Sequence, residues 1–245
     1  MIEINSRQNK EIKAIAKLKL QKERKSKKKF IAEGFRVCKS ISESISPHTI
    51  YCTETLANQA NQIAPEDKIT IVTKEVMEKI SAAKSPSGIL GVFPIPSSPN
   101  LEKLSSGIVL AQIADPGNMG TLIRTATAMG FKSVVTIEGS DPWSPKVVQS
   151  TAGTITHIHI FQLSWEKLIK NKKALKLVAL VVKDGKTPSE INFKNTLLVI
   201  GSEAHGIPQI WIDESEEKLT LPMPGKTESL NAAVAGSIAL YLAAN

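Results

Sequence analysis

Three short segments of the chain concentrate groups that could hold a small molecule and act on it. The first is Asp115-Pro116-Gly117-Asn118-Met119-Gly120, with Arg124 following. The second is Gly201-Ser202-Glu203-Ala204-His205-Gly206, and the third is Pro222-Met223-Pro224-Gly225-Lys226-Thr227-Glu228-Ser229. Any one of them is explained by ordinary turn chemistry, with Gly for positive φ and Asn or Ser as a helix cap. Three such loops, each straight after an apolar run, are better explained by one shared site at the edge of a sheet. The missing patterns narrow the chemistry. None of the loops is GxGxxG, and Gly201 to Gly206 lacks the Lys-Ser/Thr of a phosphate loop, so simple dinucleotide or ATP binding is not supported. There is no HExxH and no GxSxG. Cys38 and Cys52 stand in neither a CxxC nor a CxxH spacing, so neither a metal site nor a disulfide framework is expected.

The elements that must position these loops are apolar runs alternating with helical patterns. Strands are expected at Gly107 to Ala114, Ser133 to Ile137, Ile155 to Ile160, Leu175 to Val182, Thr196 to Ile200 and Lys218 to Leu221. Helices are expected at Met119 to Met129, Pro145 to Gln149, Trp165 to Lys170 and Leu230 to Leu242. Continuous Val/Ile/Leu runs suit a parallel sheet covered on both faces, whose ligands bind at the carboxyl ends of the strands. Upstream, a helix over 6–28 has Ile12, Ile15 and Leu18 on one side. Shorter strands and helices follow, from Phe30-Ile31-Ala32 to Gly88–Phe93, as in a small α/β domain. Pro94, Pro96 and Pro99 cannot continue a helix or a central strand, so the linker lies there. The expected domains are 1–96 and 97–245. Aromatic residues are only 4% of the chain, so the core must be mainly aliphatic.

The net charge of +8 is unevenly spread. Residues 1–39 hold 13 Lys and Arg against 4 Asp and Glu, a net +9, and the remainder is close to neutral. Such a segment favours a polyanion through counterion release, or else is a solvated helix face. No segment is expected to span a membrane, because the most apolar one, Ala232 to Ala244, is short and interrupted by Gly236 and Ser237. With no apolar signal core at the N-terminus and only two cysteines, a reducing cytoplasm is the expected location.

Read together, the three loops resemble the motifs of the SpoU/TrmH family of RNA ribose 2′-O-methyltransferases. Asp115-Pro-Gly-Asn-Met-Gly-Thr-Leu-Ile-Arg124-Thr-Ala resembles the first, Leu198-Val-Ile-Gly-Ser-Glu-Ala-His-Gly206 the second, and Leu221-Pro-Met-Pro-Gly-Lys-Thr-Glu-Ser-Leu-Asn231 the third. The N-terminal part, with Asn9, Arg24, Glu33-Gly34 and Arg36, resembles that family's ribosomal-protein-like substrate-binding domain. The resemblance implies an α/β protein: a trefoil-knotted parallel-sheet SPOUT methyltransferase domain after a small α/β substrate-binding domain. The knot runs against the general rule that chains do not thread themselves. It further implies S-adenosylmethionine as cofactor, RNA as substrate (ribosomal RNA before tRNA, from the two-domain layout) and a homodimer.

The resemblance also distributes roles. Gly201, Leu221, Met223 and Leu230 fall where the cofactor is held. Arg124 matches the catalytic arginine, either as a base or as a stabiliser of the developing alkoxide; the permanent charge of a guanidinium favours the second. Asn118 and Glu203 match positions that shape the site around Arg124, with a helix cap the alternative for Asn118. Ser229 and Asn231 match positions near the substrate ribose, and Ser229 could equally cap the final helix. Two departures stand out: Gln149 replaces an arginine frequent in the family, which moves a substrate contact to Lys146 or removes it, and Ala204 replaces a common Gly. His157 and His159 are expected to alternate on a strand as structural groups, His205 carries no assigned role, and Trp143 and Trp165 are expected to pack. A non-catalytic RNA-binding protein of the same fold and a Rossmann-type nucleotide enzyme are the competing readings.

Overall fold

Short β-branched runs bounded by polar turns form a first sheet. In chain order the elements are β1 (Ile2–Ile4), α1 (Lys10–Lys17), α2 (Gln21–Lys27), β2 (Lys29–Glu33), α3 (Phe35–Ser42), β3 (Thr49–Cys52), α4 (Ala57–Ala60), β4 (Ile69–Val72), α5 (Lys74–Ile80) and β5 (Ile89–Pro94). The computed structural model describes residues 2–225 and 229–245; Lys226, Thr227 and Glu228 of the third loop lie outside the described residues. The sheet order is β1-β4-β3-β5-β2, with β5 antiparallel to its two neighbours and the other pairs parallel. Ile12, Ile15, Leu18, Val76, Met77 and Ile80 pack over it in one apolar cluster.

The helix expected over 6–28 is two helices. The chain turns after Leu18, where a helical cap ends α1, and Leu20 is left 61% exposed. Arg24 holds the turn: its Nη1 donates to the carbonyls of Leu18 and Lys19, both at 2.8 Å, and the residue is 2% exposed. A buried guanidinium thus satisfies carbonyls that a continuous helix would have paired internally. Arg24→Ala is expected to lower unfolding free energy by about 1.5–3 kcal/mol, the range for losing charged hydrogen bonds to buried acceptors. A urea titration showing a midpoint unchanged from the parent would refute that role.

The second unit comprises Ser98–Pro142 and His157–Asn245. The elements after β5 are β6 (Gly107–Ala111), α6 (Pro116–Ala128), β7 (Ser133–Ile137), α7 (Pro145–Ser150), β8 (His159–Gln162), α8 (Trp165–Asn171), β9 (Lys176–Leu180), β10 (Thr196–Gly201), α9 (Gln209–Asp213), β11 (Glu217–Leu219) and α10 (Ala232–Ala244). The six strands are all parallel, in the order β11-β9-β10-β6-β7-β8. Alternate residues fill both faces. Val109, Val135, Leu177 and Val199 join Leu168, Trp165 and Trp211 on one side. On the other, Ile200 meets α10 at Gly236, where a Cβ would lie 2.7 Å from Ile200 Cδ1 and 2.5 Å from Leu122 Cδ2 of α6. Glycine is what lets the last helix approach the sheet so closely. The two tryptophans stack with ring centroids 4.8 Å apart, so Trp165 packs as expected.

Two sequence expectations shift here. Ile155 to Ile160 is not one strand: Thr154–His157 is a 3-10 turn and the strand starts at His159. The Thr151 and Thr154 hydroxyls bond to Val148 O and Thr151 O, offering the backbone a local alternative to a ladder. His157 and His159 therefore do not form a same-face pair on a strand. The five-residue α9 escaped the sequence reading because it is too short to show a period.

The stretch Trp143–Thr156 belongs with Met1–Ser97 in the first unit. Trp143 lies against Phe30, ring centroids 5.0 Å apart, and Val147 and Val148 of α7 are fully buried. Among the described residues no helix is long and apolar enough to cross a membrane.

Candidate active site

The carboxyl ends of β6 and β10 are neighbours in the sheet, with Ala111 in register with Gly201. The first and second loops leave from these two strand ends, and the third leads into α10, which packs on α6 and β10. Three loops far apart in sequence thus meet at the middle of the sheet.

In the first loop Asp115 caps α6: its Oδ1 accepts the Asn118 N–H at 2.8 Å, and Pro116 occupies the first turn, where its missing N–H costs nothing. The capping duty therefore falls on Asp115, and the Asn118 side chain is free for another task. It donates to Glu203 Oε1 in the second loop. Asn231 Nδ2 lies 3.3 Å from Asn118 Oδ1 and 3.5 Å from Glu203 Oε1. The Asn231 Oδ1 caps α10, accepting the N–H groups of Ala233 at 3.0 Å and Val234 at 3.2 Å. Asn231, not Ser229, is the cap of the final helix. One carboxylate and two amides, one from each loop, are knitted into a single polar cluster.

The second loop is a tight turn. Gly206 N–H donates to Ser202 O at 2.9 Å, and Gly206 has φ +65°. A Cβ on Gly201 would lie 2.5 Å from Gly206 O, so only glycine permits the strand end and the loop to pass so closely. Ala204 is not among the described residues with positive φ, so an alanine in place of the common Gly carries no backbone strain there. The backbone position that needs glycine is Gly206 itself.

A cavity of about 410 Å³ opens beside this cluster. Gly201, Glu203, Leu221, Met223, Ser229, Leu230 and Asn231 line it, all residues selected from the sequence. Ser202 and Gly206 of the second loop also line it, and Leu180 at the end of β9, Val181 and Val182 just after it, Ile200, and Ala232 and Ala235 of α10 complete the wall and were not selected. Val182, 53% exposed at the end of an apolar run, was the available signal: a large apolar side chain left out of a core at a strand's carboxyl end. Among the described lining residues Glu203 is the one acidic side chain, and none is a lysine or arginine. Such a wall suits a flat, mainly neutral or cationic ligand better than a polyphosphate.

Arg124 stands apart. It is exposed on α6, further along the helix than Asn118, and is not part of the cavity wall. Among the described residues no group of three His, Cys, Asp or Glu is placed to hold a metal.

Comparison with known proteins agrees with this geometry. The model of the SpoU rRNA Methylase family matches residues 105–241, and that of an MRM3-like substrate binding domain matches residues 9–91. The 23S rRNA (guanosine(2553)-2′-O)-methyltransferase RlmP of Bacillus subtilis is 28% identical over 98% of this chain and 98% of its own. The crystal structure of an AdoMet-bound rRNA methyltransferase from Sinorhizobium meliloti superposes with a TM-score of 0.87 at 27% identity, covering 98% of this chain and 96% of that one. The SpoU methyltransferase AviRb of Streptomyces viridochromogenes, at 22% identity and a TM-score of 0.84 over 97% of both chains, shares the fold. Since the family model covers more than half of the sequence and spans all three loops, the chain belongs to the SpoU rRNA Methylase family.

Proposed function

We propose that the protein transfers a methyl group from S-adenosylmethionine to a ribose 2′-hydroxyl in RNA, and that the RNA is ribosomal. The observation that carries this reading is the meeting of three loops on one cavity, with Asn118, Glu203 and Asn231 joined at its edge. The cavity has the size of a small-ligand site, within the range of about 300–1,000 Å³. Its apolar wall and strand-end backbone groups fit the adenosine part of the cofactor. The Glu203 carboxylate in that wall tolerates a sulfonium, which a wall of lysines would repel.

In this reading Gly201 and Leu221 present main-chain groups to the adenine edge, while Met223 and Leu230 flank its ring. When bound, the cofactor supplies an activated methyl group, so the protein's task is alignment and charge stabilisation. Glu203 holds the Asn118 and Asn231 amides in place, and with Ser229 they border the position of the ribose. Arg124, permanently charged, stabilises the negative charge that grows on the ribose oxygen.

The division of labour follows the charge. Residues 1–96 bind RNA, and 97–245 carry the methylation chemistry. Exposed Val234, Ile238, Tyr241 and Leu242 make α10 an apolar face that a second copy would cover, giving a homodimer. The knotted path is part of the proposal: after the edge strand β11 the chain returns through the third loop to pack α10 on the central β10. Free, buried Cys38 and Cys52 suit a reducing cytoplasm.

The test supplies labelled S-adenosylmethionine with unmodified ribosomal RNA or unmodified tRNA, then maps the product. The expected result is 2′-O-methylation at a defined ribosomal RNA position. Base-methylated product, or labelling of tRNA alone, would overturn the proposal in chemistry or in substrate.

A further inference from the structure

The first unit has a cavity of its own, about 330 Å³, with no part in the methylation site. Its floor is Ile31 and Glu33, alternate residues of the edge strand β2. One side is the exposed turn around Ala82, Ala83 and Ser85, and the other is α7, through Lys146 and Gln149. Pro145, Ala82 and Ala83 give it aliphatic surface, and Glu33, Ser85, Ser87, Lys146 and Gln149 give it polar groups, a mixture that suits one flat, polar-edged ligand.

Glu33 is the fixed point of this slot. Ser81 Oγ sits 2.8 Å from both carboxylate oxygens, and Ser87 N–H donates to Oε1 at 3.1 Å. Ser81 is itself 3% exposed and accepts the Ala83 N–H at 3.0 Å, which ties the turn to the carboxylate. These bonds aim the carboxylate without exhausting it, because a carboxylate has about four acceptor positions. A held acceptor of this kind selects a ligand edge with N–H donors. Lys146 and Gln149, one turn apart on α7, supply a cation and an amide across the slot, and Lys84 lies exposed on the turn.

We propose that this slot takes one unpaired, amino-bearing nucleobase of the substrate RNA, its amino edge on Glu33 and its flat faces between Pro145 and the Ala82–Ala83 turn. The proposal rests on the RNA reading above and adds a base-selective contact built from other residues than the methylation site. Guanine, adenine and cytosine all carry an exocyclic amine that can donate to Glu33. Uracil does not fit: its one imino N–H is flanked by two carbonyl oxygens that a carboxylate repels. Single-stranded RNA is read in this way, by stacking a splayed base and bonding its edge. The lysines of residues 1–39 would add the sequence-independent phosphate affinity.

The test titrates the full-length protein, at one salt concentration, with a 12-nucleotide oligouridylate and with the same strand carrying one central guanosine, adenosine or cytidine. At least one substituted strand is expected to bind about fivefold or more tightly than oligouridylate, since one good base-edge pair discriminates by at least that factor. Glu33→Gln and, independently, Ala83→Phe, which fills the slot from an exposed turn, are expected to bring that strand to the oligouridylate level. S-adenosylmethionine affinity should stay as in the parent. Equal binding of all four strands, or a preference that survives Ala83→Phe, would overturn the proposal. A preference abolished by both variants in a protein that methylates no RNA would sustain the slot and sink the proposed reaction, so the two failures are distinguishable.

Discussion

Arg124→Ala is expected to lower the rate of methyl transfer about 10²–10³-fold, the usual loss when one transition-state charge stabiliser is removed. Cofactor affinity should change by no more than about twofold, as for a substitution of an exposed residue that is no part of the binding surface. The reasoning is positional. Arg124 is exposed on α6 and lies outside the cavity wall, so the proposed role leaves S-adenosylmethionine to other residues. Its motif partner Asn118 joins the cluster at the cavity edge, which puts the arginine on the helix that serves the acceptor side. In the proposed role that charge acts when the ribose oxygen becomes negative. Arg124→Lys should recover part of the rate, because an ammonium keeps the charge and loses the planar fork. Single-turnover rates and calorimetric titration of the cofactor separate the two effects. Parallel losses in rate and cofactor affinity would mean that Arg124 shapes the pocket instead.

A second large effect is expected from one methyl group. Gly201→Ala should weaken cofactor binding by more than about tenfold and lower stability by about 1–3 kcal/mol, the cost of overpacking a closed site. The new Cβ would lie 2.5 Å from Gly206 O and also press on Ile207 N, all backbone atoms with no rotamer to escape into. The second loop must open, and opening it pulls Glu203 away from Asn118 and Asn231. Gly206→Ala is the control. Its Cβ meets no protein atom within 4 Å, so the stability penalty is that of an L-residue at φ +65°, about 1–2 kcal/mol, and the close pass of strand and loop is kept. Gly206 also lines the cavity, so Gly206→Ala adds one methyl group at the wall without opening the loop, and it should lose less cofactor affinity than Gly201→Ala. Equal affinities for the two variants would show that the close pass of strand and loop is not what shapes the cavity.

Much of this protein was legible in one dimension wherever local rules decide the outcome. The apolar runs after the linker became parallel strands because a strand covered on both faces needs no polar alternation. The strand Ser133–Ile137 lies where the pattern placed it, and the one expected at Thr196 to Ile200 runs one residue further. The helices expected from Pro145 and from Trp165 start there, behind Ser144 and Ser164, whose side chains each accept an N–H of the first turn. The three loops stood out because glycine, amides and carboxylates are concentrated where strands end.

What the tertiary structure decided is everything that depends on residues distant in the chain. Arg24 reads as one more cation in a basic segment. Only the fold turns it inward to close the carbonyls of Leu18 and Lys19. The prolines from Pro94 to Pro99 mark a linker, yet no local signal says that Trp143–Thr156 packs with the first unit, because that choice is made by Phe30 and its neighbours more than a hundred residues away. Gly236 looked like an interruption in an apolar helix, and it is the point where α10 comes against Leu122 and Ile200. Asn118 and Ser229 each suited a helix cap by type. The caps went to Asp115 and Asn231, since a cap must precede the first helical turn at a backbone geometry that the sequence does not display. Side-chain type sets what a residue is able to do, and burial and distance, which exist only in the folded chain, set which of those things it does.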